Sequence, residues 1–102
     1  MTTGAFDALA EPARRAILDE LTRGPRAVGE LVSATGLSQP NTSRHLRVLR
    51  DARLVRARAD GQRRVYELSS DGFTELIRWL APYARMWQAS LDALERNLDA
   101  KG

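Results

Sequence analysis

The 102-residue chain has no cysteine, and its only histidine is His45 and its only lysine Lys101. Without cysteine there is neither a disulfide nor a thiolate metal site. One histidine cannot supply the imidazole cluster of a catalytic or sensing metal centre. No run of about 18 apolar residues occurs, so no transmembrane helix and no membrane partner is expected. The first residues lack a basic start followed by an apolar stretch, so no secretory signal is expected. These absences point to the cytoplasm. There is also no nucleophile beside a base, no phosphate-binding glycine loop and no ligand cluster. Enzyme activity is therefore not expected, and no cofactor is called for.

Hydrophobic residues make up 43% of the chain and charged residues 28%, the profile of a single globular domain. A chain this short buries a modest core, which a second subunit would help to stabilise. The net charge of +3 is unevenly spread. Residues 1–37 carry −1 and residues 71–102 carry −1, whereas residues 38–70 hold eight Arg against three acids, or +5. A basic surface confined to one third of the chain is the footprint of a nucleic-acid binder. The plainer reading is a solvated face in an arginine-rich chain.

The elements read in order. Residues 5–10 (AFDALA) predict a short helix, and Pro12 suits the first position of a second one, which Gly24-Pro25 stops. Residues 27–35 predict a third helix, ended by Gly36 in the left-handed conformation. Ser38 then caps a fourth, running to about Ala52 with Pro40 in its first turn. Helix, tight glycine turn, helix is a helix-turn-helix signature. Residues 54–59 alternate with period two, Asp60-Gly61 signals a turn, and residues 63–68 return as the partner strand. A hairpin directly after a helix-turn-helix makes a winged helix. Ser69 caps a long last helix whose apolar residues Leu76, Leu80, Tyr83, Trp87, Leu91, Leu94 and Leu98 recur at steps of three and four. Pro82 cannot donate to the carbonyl of Arg78, so a kink or break is expected near Leu80-Ala81.

On the fourth helix, a turn of about 100° per residue puts Thr42, Leu46 and Leu49 on the buried stripe and Pro40, Arg44, Arg47 and Asp51 opposite it. Ser43 and Arg50 fall on one flank, Asn41 and His45 on the other, and Gln39 at the end that first enters a groove. Arg44 has the reach for the O6 and N7 acceptors of guanine, and Gln39 suits adenine or a bridging water. Ser38, Ser43 and the first-turn amides suit phosphate oxygens. Arg47 and Arg50 lie further along, where backbone contact is expected. Arg63 and Arg64 follow the hairpin turn, where basic side chains suit phosphate or a narrow minor groove. Edge-strand protection is the structural alternative for them. His45 is expected to pack or to bond a phosphate.

These residues resemble the ArsR/SmtB family of winged-helix repressors. The likeness runs through LAEPARRAILDEL at 9–21, VGELVSATGLSQPNTSRHLRVLRDARLV at 28–55 and GQRRVYEL at 61–68. It implies a homodimer built from the first and last helices, blocking transcription at a roughly palindromic operator in double-stranded DNA. It implies DNA contacts at Gln39, Pro40, Ser43 and Arg44, supported by the wing arginines. It also implies a dimer interface through Phe6, Leu9, Leu80, Tyr83, Trp87, Leu91 and Leu94. Many members sense metals through thiolates at the start of the third helix or through carboxylates and histidines on the last. Here the matching third-helix positions are Ala27 and Gly29, and the last helix has no histidine. Metal sensing through those sites is not expected, and a carboxylate site for a hard cation has no supporting spacing.

Steps of four bring Trp79, Tyr83 and Trp87 near one face. They read as core or dimer interface, or as a pocket for an unknown small-molecule effector. The expected architecture is mainly α with a two-stranded β wing, a single winged-helix domain over 1–102. The helix-turn-helix spans about 27–52, the wing about 54–68 and the C-terminal dimerisation helix about 70–99. The alternative function is a winged-helix protein-interaction module without operator specificity.

Overall fold

A computed structural model describes the backbone of residues 4–101 and the side chains of residues 4–99. Along the chain it places α1 (Ala5–Leu9), α2 (Pro12–Leu21), β1 (Arg26–Ala27), α3 (Val28–Thr35), α4 (Gln39–Asp51), β2 (Val55–Asp60), β3 (Arg63–Leu68) and α5 (Ser70–Lys101). No described helix is long and apolar enough to cross a membrane.

Local chemistry accounts for most boundaries. Pro12 opens α2, whose arginines close the end of α1: Arg14 Nε donates to the Ala8 carbonyl and Arg15 Nη1 to the Leu9 carbonyl, each at 2.6 Å. Gly36, at φ 74°, ends α3. Ser38 caps α4, its Oγ accepting the Asn41 amide at 3.2 Å. At the other end of α4 the Arg53 amide donates to the Arg50 carbonyl and the Leu54 amide to the Leu49 carbonyl, both at 2.9 Å. That pairing is a Schellman motif with Arg53, at φ 62°, in the left-handed position usually held by glycine. The accompanying contact of Leu49 with Leu54 is fully buried. Gly72 is required where α5 docks on this corner. Its amide donates to the Arg53 carbonyl at 2.7 Å, and a Cβ there would lie 2.5 Å from the Ala52 carbonyl oxygen.

The sheet has three antiparallel strands in the order β1-β3-β2, not the two expected. Arg26 and Ala27 pair with Tyr66 and Val65, so β3 is central and α3 begins one residue later than the sequence suggests. Two residues are too short to show a period-two pattern, which is why the strand is silent in the sequence. Asp60 pairs with Arg63, leaving Gly61-Gln62 as the hairpin loop. Gly61 has φ 64°, and positive φ at the first central residue alone suits a type II′ turn.

Thr42, Leu46 and Leu49 are buried as the helical wheel requires, against Ile17, Leu21, Leu31, Leu54 and Val55. The Thr42 hydroxyl donates to the Ser38 carbonyl at 2.8 Å, so its burial leaves no polar group unpaired. The last helix behaves differently from its expectation. It continues unbroken through Pro82. Pro82 and Arg78 both lie on its exposed side, where water can take the carbonyl hydrogen bond that proline leaves unmade. Leu76 is the last seam residue buried within the chain; from Leu80 to Leu98 the seam is open. At about 1.5 Å per residue a helix of this length spans roughly 48 Å. It stretches the radius of gyration to 17.4 Å, against about 13 Å for a compact chain of this size.

Candidate nucleic-acid interface

Gln39, Pro40, Asn41, Ser43, Arg44 and Arg47 all lie exposed on one side of α4, and Ser38 stands exposed at its cap. The Ser38 Oγ accepts an amide and so keeps its own proton for a further acceptor. Asn41 has a second role: its Oδ1 accepts from Arg44 Nη2 at 2.7 Å, one helical turn away, and steadies that guanidinium. Arg44 thus stands partly ordered before any ligand arrives, while most of its donors remain free.

The wing completes the surface with one of its two tip arginines. Successive strand residues face opposite ways, so Arg64 and Tyr66 share one face of β3 and Arg63, Val65 and Glu67 the other. Arg64 lies 6.0 Å from the centre of the Tyr66 ring, in cation–π range. A cleft of about 340 Å³ is lined by Ser43, Arg44, Arg47, Arg50, Arg64 and Tyr66. Arg63 instead turns to α3, where its Nη2 lies 3.3 Å from Glu30 Oε1.

Ion pairing divides the eight arginines of residues 38–70. Arg56 and Arg58 share Glu67, at 3.0 and 3.4 Å, and Arg63 meets Glu30. Burial alone would raise the Glu67 pKa, but hydrogen bonds and charge from Arg56 and Arg58 outweigh it and hold the carboxyl below the ordinary glutamate value. Arg44, Arg47, Arg50, Arg53 and Arg64 have no carboxylate within 4 Å among the described residues. Four of these five line the cleft and Arg53 lies outside it, so most of the uncompensated charge is on the cleft face. Arg50 is the member that the wheel had assigned only to a flank. Tyr66 was missed, although period two from Arg64 points to it.

His45 is half-buried, and its Nδ1 is buried with no hydrogen-bond partner. Burial and the nearby Arg14 and Arg44 guanidiniums lower its pKa, against a smaller opposing effect of Glu11. The charged groups near the ring are Arg44 on its own helix and Glu11 and Arg14 at the start of α2. Of the residues expected at the dimer interface, Phe6, Leu80, Tyr83, Trp87, Leu91 and Leu94 are exposed in the single chain. Phe6 packs edge-on to Trp79 at 5.5 Å, and Trp79 stacks on Tyr83 at 4.9 Å, joining α1 to α5. Leu9 faces the other way, partly buried against the core. Among the described residues no group of three metal-ligating side chains comes together.

Residues 11–57 match the family described as bacterial regulatory protein, arsR family. An HTH-type transcriptional regulator of Mycobacterium tuberculosis is 43% identical over 98 residues, which cover 96% of this chain and 89% of that protein. The transcriptional repressor SdpR of Bacillus subtilis is 32% identical over 75 residues, 74% of this chain and 83% of SdpR. The homodimeric winged helix-turn-helix DNA-binding domain of a Mycobacterium bovis protein, solved by NMR, superposes with a TM-score of 0.65. Its sequence identity is 33%, and the match covers 79% of this chain and 75% of that one.

Proposed function

The chain belongs to the ArsR family of bacterial regulatory proteins, and from that premise we propose that this winged helix-turn-helix transcriptional regulator acts as a homodimeric repressor on a palindromic operator. The observation that carries the proposal is the set of four arginines, Arg44, Arg47, Arg50 and Arg64, without carboxylate partners around one cleft. Such a surface suits a ligand carrying regularly spaced negative charge, which duplex DNA supplies.

Within this reading the first two turns of α4 enter the major groove. Arg44 and Gln39 face base edges, and Pro40 sits close beside them. Ser38, Ser43, Arg47, Arg50 and Arg64 hold phosphates and fix the register. Asn41 serves through Arg44, and His45 through its packing. The open seam of α5, with Phe6 and Trp79 beside it, pairs with that of a second copy and supplies the two-fold axis. Repression is what SdpR is named for, and simple occupancy of an operator by a two-fold dimer is sufficient to cause it. Control does not run through thiolate or imidazole metal ligands, because Ala27, Gly29 and a histidine-free α5 offer none.

The test is the salt dependence of binding to duplex DNA. The three arginine–phosphate contacts per subunit, from Arg47, Arg50 and Arg64, should give a slope of log K against log salt of about −5 for the dimer. A flat response would remove DNA as the ligand and favour a protein partner for the wing.

A further inference from the structure

Arg63 and Arg64 are adjacent in sequence and adjacent to the hairpin loop, yet only one joins the cleft. The carboxylate that holds the other is placed with care. Glu30 stands at the third position of α3, and its Oε1 accepts the backbone amide of Ala27, the residue capping that helix, at 3.1 Å. Its negative charge is favoured there by the helix dipole. The same oxygen accepts from Arg63 Nη2 at 3.3 Å. Ala27 is itself in β1, paired with Val65 of β3, two residues from Arg63 on the same strand face. Glu30 therefore closes the corner between α3, β1 and the central strand of the wing. An ordinary surface ion pair gains little because two long side chains must be ordered to make it. Here one partner is already ordered by its cap hydrogen bond.

We propose that Glu30 is a positioning residue for DNA recognition: it ties the wing to the helix-turn-helix and withholds Arg63 from phosphate, so that the wing presents a single cation, Arg64. The effect is on affinity and its salt dependence. A phosphate contact strengthens binding to every sequence alike, so one withheld cation lowers affinity for operator and random DNA together without removing any base contact. The inference rests on the DNA-binding reading above.

Glu30→Gln separates the two roles of the carboxylate. The amide oxygen can still accept from Ala27, so α3 keeps its cap, while the ion pair is lost. Binding to a random duplex would be measured against salt for the wild type, Glu30→Gln, Arg63→Gln, Arg64→Gln and the double variant Glu30→Gln/Arg63→Gln, each checked for an unchanged thermal melt. Arg63→Gln should leave the wild-type slope unaltered, while Arg64→Gln makes it shallower. Glu30→Gln should steepen the slope by about 0.9 per subunit, so that its affinity falls about three- to four-fold more per subunit between 50 and 200 mM salt. The double variant should return to the wild-type slope, which a general loosening of the fold would not do. Equal losses of slope in Arg63→Gln and Arg64→Gln would overturn the proposal, as would an unchanged slope in Glu30→Gln. A wild type with no salt dependence would instead remove the DNA-binding reading on which the proposal rests.

Discussion

Trp87→Ala is expected to weaken self-association by about 2 kcal/mol or more, roughly 30-fold in the dimer dissociation constant, as truncation of a central aromatic anchor does. Trp87 is 58% exposed in the single chain. It lies on the open part of the seam, between Tyr83 and Leu91, in a helix whose docking to the body ends near Leu80. The side chain thus contributes little to the fold of one subunit, and the thermal melt of the core should move less than the association constant. Operator binding should fall with it, because two half-sites read by separate monomers lose the effective concentration that a dimer confers. Sedimentation equilibrium on both proteins gives the answer. A dimer of undiminished stability would show that the seam serves something other than a second copy.

Arg44→Ala is expected to lose about 1–3 kcal/mol of operator binding and a smaller amount on random DNA. The inequality is the informative part. Arg44 faces outward in the second turn of α4 and is steadied by Asn41 at 2.7 Å, an arrangement suited to two-pronged contact with a guanine. An arginine that meets only phosphate loses the same amount on any sequence. Titration of the variant against operator and random duplexes separates the two, and equal losses would reassign Arg44 to backbone contact.

Much of this structure is legible in the sequence because its local signals agree with one another. Ser38 as a cap, Gly36 as a left-handed stop, the buried stripe of Thr42, Leu46 and Leu49, and strand 63–68 all follow from spacing and backbone preference. What the sequence concealed falls into three kinds. The first is brevity: β1 has two residues and is defined by its partner strand. The second is local override, where Arg53 adopts the left-handed position without glycine because Leu49 and Leu54 bury together across it. The third is pairing at a distance. Nothing near Arg63 reveals Glu30, 33 residues away, and nothing near Arg56 and Arg58 reveals Glu67. The charge excess of residues 38–70 pointed to the right third of the chain, but only the fold shows which arginines are neutralised within it. Pro82 illustrates the reverse case. Its sequence signal is strong, yet an exposed helix side tolerates it.

A two-fold pair of these chains is expected to read duplex DNA through the first two turns of each α4 helix. Selection of bound sequences from a random DNA pool tests it most directly. The expected product is an inverted repeat whose half-site centres lie about 34 Å apart, one helical turn, with guanine enriched at a position that loses its preference in Arg44→Ala. A pool that stays random after repeated selection, or one that converges on a site without two-fold symmetry, would contradict it.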